Sequence, residues 1–203
     1  MTKRTPGFIF IFLIITGFLF PQKSPDEFFG LQVGADRTLV KYPDIVKYFK
    51  YLDDQSQRIK VNDEGKSTRG NPMILAFISS ADNINQLPDL IDINKKLANP
   101  DSISPEEAHL LIPKAKPFVL VTCAIHASEI ASTQMAMLFA HKLATTDDST
   151  LKGYLDQVVV LLMPSINPDG NIMVTDWYNK YLNTEFEGCR MPYLYHIYAG
   201  HDN

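Results

Sequence analysis

The stretch Phe118-Val-Leu-Val-Thr-Cys-Ala-Ile-His126-Ala-Ser-Glu129 decides how the rest of the chain is read. A run of mostly apolar residues leads to a histidine, a glutamate follows three positions later, and a second apolar run continues from Ile130 to Leu143. The spacing predicts a strand that ends by presenting His126 and a helix that begins by presenting Glu129. An imidazole nitrogen and a carboxylate oxygen then meet outside the carboxyl end of a strand, where open α/β sheets place their ligands. That pair suits Zn²⁺, which accepts both donors at about 2.0–2.2 Å.

The tetrapeptide alone is a weak signal, since chance supplies about 0.3 such matches in a chain with five histidines. A helix-start glutamate favoured by the helix dipole, beside a satisfied histidine, accounts for it equally well. Two sharper metalloprotease patterns are excluded. H-E-x-x-H does not occur, and H-x-x-E-H fails because position 130 is Ile.

Working outward, Val158 to Met163 is a second continuous apolar run, and with Phe118 to Ala124 it has the composition of strands buried on both faces. The intervening helix, from about Glu129 to Ala144, offers Met135, Leu138, Phe139 and Leu143 to cover a sheet. Strand, helix and strand predict a right-handed crossover and a parallel pair. A short helical turn over Thr150 to Leu155 precedes the second strand. Upstream, a helix is expected from Tyr42-Pro43-Asp44, with Ile45, Tyr48, Phe49 and Leu52 as its apolar stripe. Arg58 to Val61 and Met73 to Ile78 read as paired strands across a polar turn region, 62–72. Residues 83–97 read as a helix after Pro88, and Ser104-Pro105-Glu106-Glu107 as a capping box opening a helix to about Leu111. Residues 25–40 read as loose. After the second strand, Asn167-Pro-Asp-Gly170 reads as a turn, followed by a helical or extended segment, Asn171 to Tyr181.

Composition narrows the function. The chain has 203 residues, 45% hydrophobic and 21% charged, as in ordinary globular proteins. A net charge of -4 gives no basic footprint, so nucleic acid is not expected as a partner. Two cysteines are too few for a disulfide framework, and Cys123, inside an apolar strand, reads as a buried small hydrophobe. Lys3 and Arg4 precede a 13-residue apolar stretch, Phe8 to Phe20, which fits a signal-peptide core. Residues 1–24 are therefore expected to be a signal peptide, or an N-terminal anchor if uncleaved, ahead of one domain over 25–203. The protein is expected to be exported, to the periplasm or beyond the cell, with membrane contact only through an uncleaved leader.

The order of these pieces resembles the zinc carboxypeptidase family, the carboxypeptidase A-like metallopeptidases. The matching features are Gly70-Asn-Pro-Met-Ile-Leu-Ala-Phe-Ile-Ser79, His126-x-x-Glu129, and Val158-Val-Val-Leu-Leu-Met-Pro-Ser-Ile-Asn-Pro-Asp-Gly170. The closing Tyr195-His-Ile-Tyr-Ala-Gly-His-Asp-Asn203 is similar to a bacterial branch in which an Asn-Arg pair follows. The likeness runs from Tyr42 to Asn203 and implies a three-layer α/β sandwich with a mixed, mainly parallel sheet, truncated at its C-terminus.

It also implies a zinc hydrolase acting on peptide or protein substrates, with His126 and Glu129 as the first two metal ligands. The family's third ligand and general-base glutamate are expected beyond Asn203, so the 203-residue form is expected to be inactive. Lys180 is the nearest candidate for the family's oxyanion-stabilising cation. Ser128 stands between the ligands where an arginine would help to bind substrate. His196 and His201 qualify as third ligands by composition alone, His109 reads as a surface residue, and His141 falls on the helix away from the pair. The substrate-binding residues are not identified. Two rival readings stay open: a non-catalytic remnant or peptide-binding pseudoenzyme, and a zinc amidase or deacylase of the same fold.

Overall fold

The computed structural model describes residues 22–192, so the apolar leader, His196 and His201 lie outside the described residues. In chain order the elements are α1 (Pro25–Phe29), α2 (Tyr42–Gln55), β1 (Ile59–Lys66), β2 (Pro72–Ile78), α3 (Ala81–Asn85) and α4 (Leu87–Ala98). They continue with α5 (Pro105–Leu111), β3 (Phe118–Thr122), α6 (Ile130–Thr145), α7 (Ser149–Gln157), β4 (Val159–Met163) and α8 (Pro168–Tyr181). Among the described residues no helix is long and apolar enough to cross a membrane.

The strands form one mixed sheet in the order β1-β2-β4-β3. β1 pairs antiparallel with β2 and β2 antiparallel with β4, while β3 and β4 run parallel from Phe118↔Val159 to Thr122↔Met163. The parallel pair is the one expected from the crossover through α6. Alternation along β2 and β4 sends Ile74, Ala76, Ile78, Val160 and Leu162 into the main core, which α2 and α6 share. Phe77 and Val159 face the other way, against Leu87 and Leu90 of α4. Helices therefore lie on both faces of the sheet, in three layers.

Local chemistry explains most elements. In α2, Pro43 sits in the first turn, and Ile45, Tyr48, Phe49 and Leu52 are all fully buried, as the stripe predicts. In α5 the Ser104 hydroxyl caps the Glu107 N–H. The structure also corrects several expectations. Residues 25–29 are not loose, because Ser24 and Glu27 form a reciprocal capping box and Gly30 ends the turn in the left-handed region at φ 67°. Asp63-Glu64-Gly65 is not a turn. β1 runs on to Lys66 through a bulge, and its far half stays polar because it is a solvated edge. The turn is Ser67 to Asn71, where the Gly70 N–H bonds to the Ser67 carbonyl.

On α6, Met135 and Leu138 do not cover the sheet but are 44% and 42% exposed. The covering face is Ile130, Thr133, Met137, Ala140 and Ala144, whose small members let the helix approach α2 closely. β3 departs from its sequence pattern too. It is not buried on both faces: Val119 is 47% and Leu120 63% exposed, on opposite faces of the outermost strand.

Candidate metal centre

β3 ends at Thr122, but its alignment with β4 continues for one more step. The Cys123 N–H donates to the Met163 carbonyl at 3.0 Å, and the Ile166 N–H donates to the Cys123 carbonyl at 3.0 Å. Ala124 then takes a left-handed conformation, φ 52°, which turns the chain out of the sheet plane. Such a residue costs about 1 kcal/mol and persists where its surroundings hold it. The turn delivers Ile125 and His126 to the C-terminal end of the sheet, and the Glu129 N–H closes a tight turn onto the His126 carbonyl at 3.0 Å.

Glu129 is the residue before the first turn of α6, yet its carboxylate does not cap that helix. It folds back, placing Oε1 3.0 Å from His126 Nδ1 and accepting the His126 backbone N–H on Oε2 at 3.3 Å. The hydrogen bonds from the His126 ring and backbone hold the Glu129 carboxyl below its ordinary range, so it is ionised at neutral pH. The two predicted ligands are thus brought together. Nδ1 faces the carboxylate, while Nε2 is buried.

The loop is held from the other side by Asn167-Pro-Asp-Gly170. This segment is the N-terminus of α8 rather than a free turn, since turns and helix starts share the same residue signals. Asn167 Oδ1 caps the Gly170 N–H at 2.9 Å, and its Nδ2 donates to the Ile125 carbonyl at 3.2 Å. Gly170 permits close approach: a Cβ there would lie 2.7 Å from the Cβ of Ala127, the fully buried residue after His126. Asp169, 4% exposed, ties the same corner to the β1–β2 turn. It accepts from Ser67 Oγ at 2.5 Å, Asn71 Nδ2 at 2.7 Å and the Arg69 N–H at 2.9 Å. Burial pushes its carboxyl up, but these three donors outweigh burial and leave it below the ordinary value. Asn167, Asp169 and Gly170 are positioning residues that sequence reasoning missed, although the N-P-D-G motif that contains them stood in plain view.

The pair fits zinc chemically. Two donors on a tetrahedral zinc lie about 3.3 Å apart, close to the 3.0 Å seen between Nδ1 and Oε1. Among the described residues no group of three or more His, Cys, Asp or Glu side chains is placed to hold a metal ion. His109 is exposed, as expected, and His141, toward the C-terminal end of α6, approaches the Gln22 carbonyl through Nε2 at 3.3 Å. Among the described residues no hydrogen bond or ion pair joins Lys180 to His126 or Glu129; its ammonium lies over the rings of Tyr181 and Trp177, 5.1 and 5.8 Å from their centroids. Cys123 is buried and its thiol is pushed up by burial, whereas Cys189 is exposed.

A family model for zinc carboxypeptidases matches residues 45–191, an interval that contains the His126–Glu129 pair and the Asn167–Gly170 corner. The chain belongs to the zinc carboxypeptidase family. No curated protein matches it. Among solved structures it is similar to carboxypeptidase A from Helicoverpa armigera, at 18% identity and a TM-score of 0.48 over 72% of this chain and 29% of that one. It is also similar to thrombin-activatable fibrinolysis inhibitor, at 14% identity and a TM-score of 0.49, over 76% of this chain and 32% of that one. The bovine form of that protein, solved with a tick carboxypeptidase inhibitor, aligns at 14% identity and a TM-score of 0.44 over 68% of this chain and 34% of that one. The chain thus spans about a third of the length of these relatives.

Proposed function

We propose that the chain is the zinc-ligating N-terminal part of an exported metallocarboxypeptidase, which hydrolyses C-terminal peptide bonds. The observation that carries this reading is the His126 Nδ1 to Glu129 Oε1 approach of 3.0 Å at the carboxyl end of β3. His126 supplies a ring nitrogen and Glu129 an already ionised oxygen, so neither ligand need be rebuilt to accept the metal. When bound, zinc polarises the scissile carbonyl and brings water into its nucleophilic range near neutral pH. Asn167 and Gly170 hold the ligand loop against α8, and Asp169 holds that corner against the β1–β2 turn. The third ligand and the general base belong, in this proposal, to sequence after Asn203, and the 203-residue form is inactive. The open β3 edge, with Val119 and Leu120 exposed, supports a sheet that continues beyond it. Residues 1–24 direct export, and 25–203 form the N-terminal part of the catalytic domain.

A second reading, a peptide-binding protein without hydrolytic chemistry, draws on the lack of a third donor among the described residues. The coding sequence past residue 203 separates the two. A frame that continues and later supplies a histidine and a glutamate supports the enzyme. The longer product should then release C-terminal residues from peptides and lose that activity on Glu129→Ala. A stop codon directly after Asn203 in the native message overturns the enzyme reading in favour of the second.

A further inference from the structure

Residues 22–24 fall inside the leader as the sequence bounds it, yet each of them is bonded into the fold. Gln22 Nε2 donates to the carbonyl of Gln55, the last residue of α2, at 2.7 Å, and the Gln22 carbonyl lies 3.3 Å from His141 Nε2 on α6. The Lys23 N–H donates to the Tyr51 hydroxyl at 2.8 Å, and the Lys23 carbonyl accepts from the Tyr48 hydroxyl at 3.0 Å. Ser24 donates its N–H and its hydroxyl to Glu27 Oε2 at 2.8 and 3.0 Å, and its Oγ accepts the Glu27 N–H at 3.3 Å. Three successive residues thus clasp α2, α6 and the first turn of α1.

The clasp carries structural weight. Tyr48 is fully buried, and burial keeps its phenol in the neutral, donating form. Removing the Lys23 carbonyl would take away the acceptor of that hydroxyl, a costly loss inside a protein. With five residues, α1 is too short to hold its own conformation, so its capping box and its packing must do so. Phe28 meets Tyr48 and Tyr51 at 5.2 and 5.0 Å between ring centroids.

A leader is cut beside a small residue that follows its apolar core. Ser24 is one such residue, and Gly17 is the nearest ahead of Gln22. A cut at Ser24 deletes the clasp, whereas a cut at Gly17 keeps all of it. We propose that export processing cuts the chain on the amino side of Gln22, after Gly17, and that Gln22, Lys23 and Ser24 are the N-terminal clasp of the mature fold. The position of the cut rests on the export reading and is independent of the zinc site.

The experiment expresses the full 203-residue chain in a Gram-negative bacterial host, recovers it from the periplasm and sequences its N-terminus. The expected first residue is Phe18, and any cut product that starts at or ahead of Gln22 supports the clasp. Export followed by a start at Lys23 or later overturns the position of the cut alone. An uncut chain overturns the cut together with the export reading. A second measurement needs no export: trypsin acts on the folded full chain, and mass spectrometry follows cleavage of the Lys23–Ser24 bond. Cleavage should be at least about tenfold slower than in a synthetic peptide of residues 19–28. Glu27→Ala, which removes the acceptor of both Ser24 bonds, should speed it severalfold. Equal rates in folded chain and peptide, or indifference to Glu27→Ala, overturn the clasp wherever the mature chain begins.

Discussion

Gly170→Ala is the sharpest perturbation of the architecture that holds His126 and Glu129 together. Gly170 lies in the first turn of α8, and no positive φ demands glycine there. By helix propensity alone, alanine should stabilise the chain by about 1 kcal/mol. The added Cβ, however, would stand 2.7 Å from Ala127 Cβ and 2.8 and 2.9 Å from Asn167 Oδ1 and Nδ2. None of these neighbours is the loose end of a flexible side chain. Ala127 belongs to the ligand loop, and Asn167 simultaneously caps α8 and holds the Ile125 carbonyl. The loop must back away and the Asn167 cap must give with it, overpacking costing about 1–3 kcal/mol and a lost cap about a further 1 kcal/mol. Set against the propensity gain, a net loss of about 1–3 kcal/mol is expected. Gly153→Ala is the matched control, because it lies inside α7 with open space around its Cβ position and should gain about 0.5–1 kcal/mol. Urea unfolding of both variants tests the difference, and thermal melts should move in opposite directions, by about 2–4 °C per kcal/mol. If Gly170→Ala is as stable as wild type, or shifts like Gly153→Ala, the close contact between α8 and the ligand loop is wrong.

Three further outcomes follow from other parts of the structure. The lowered Asp169 carboxyl contributes stability that is present above its ordinary value of 3.8 and is lost as pH falls through the depressed folded value. Asp169→Asn should therefore flatten the acid limb of the stability profile below about pH 4, and an unchanged limb in a urea-against-pH series counts against the network. Leu120→Lys, on the open β3 edge, should change stability by less than about 0.5 kcal/mol and reduce concentration-dependent light scattering; a large loss of stability would show that Leu120 is buried in solution. A thiol reagent should label Cys189 in the native chain and Cys123 only on unfolding, and rapid native labelling of both would refute the burial of Cys123.

The central unit was legible because its signals are local and redundant. Phe118 to Thr122 and Val159 to Met163 are continuous apolar runs joined by a helix-length segment, the pattern of a strand-helix-strand crossover. The approach of His126 to Glu129 was legible for the same reason, since the two sit either side of a strand-to-helix junction. Elsewhere a single pattern admitted two structures. Asn-Pro-Asp-Gly satisfies the rules of a turn and of a helix N-terminus alike, and only the long-range bonds of Asn167 to Ile125 and of Asp169 to Ser67 and Asn71 decide between them. The α6 helix is apolar around most of its circumference, so periodicity did not show that Met135 and Leu138 face outward. The polar second half of β1 carried no alternation, because an edge strand in water needs none. The segment after α8 is tied down by Arg37 reaching Glu187 across most of the chain, a contact with no local signature.

The measurement closest to the central claim is a zinc titration of the full 203-residue chain against a chromophoric chelator, alongside His126→Ala and Glu129→Ala. With two protein donors, wild type should take up one zinc weakly, in the micromolar range or above, and each substitution should abolish the uptake. Tight uptake by the wild type, or uptake indifferent to both substitutions, would contradict the assignment of His126 and Glu129 as two of the ligands in a site completed elsewhere.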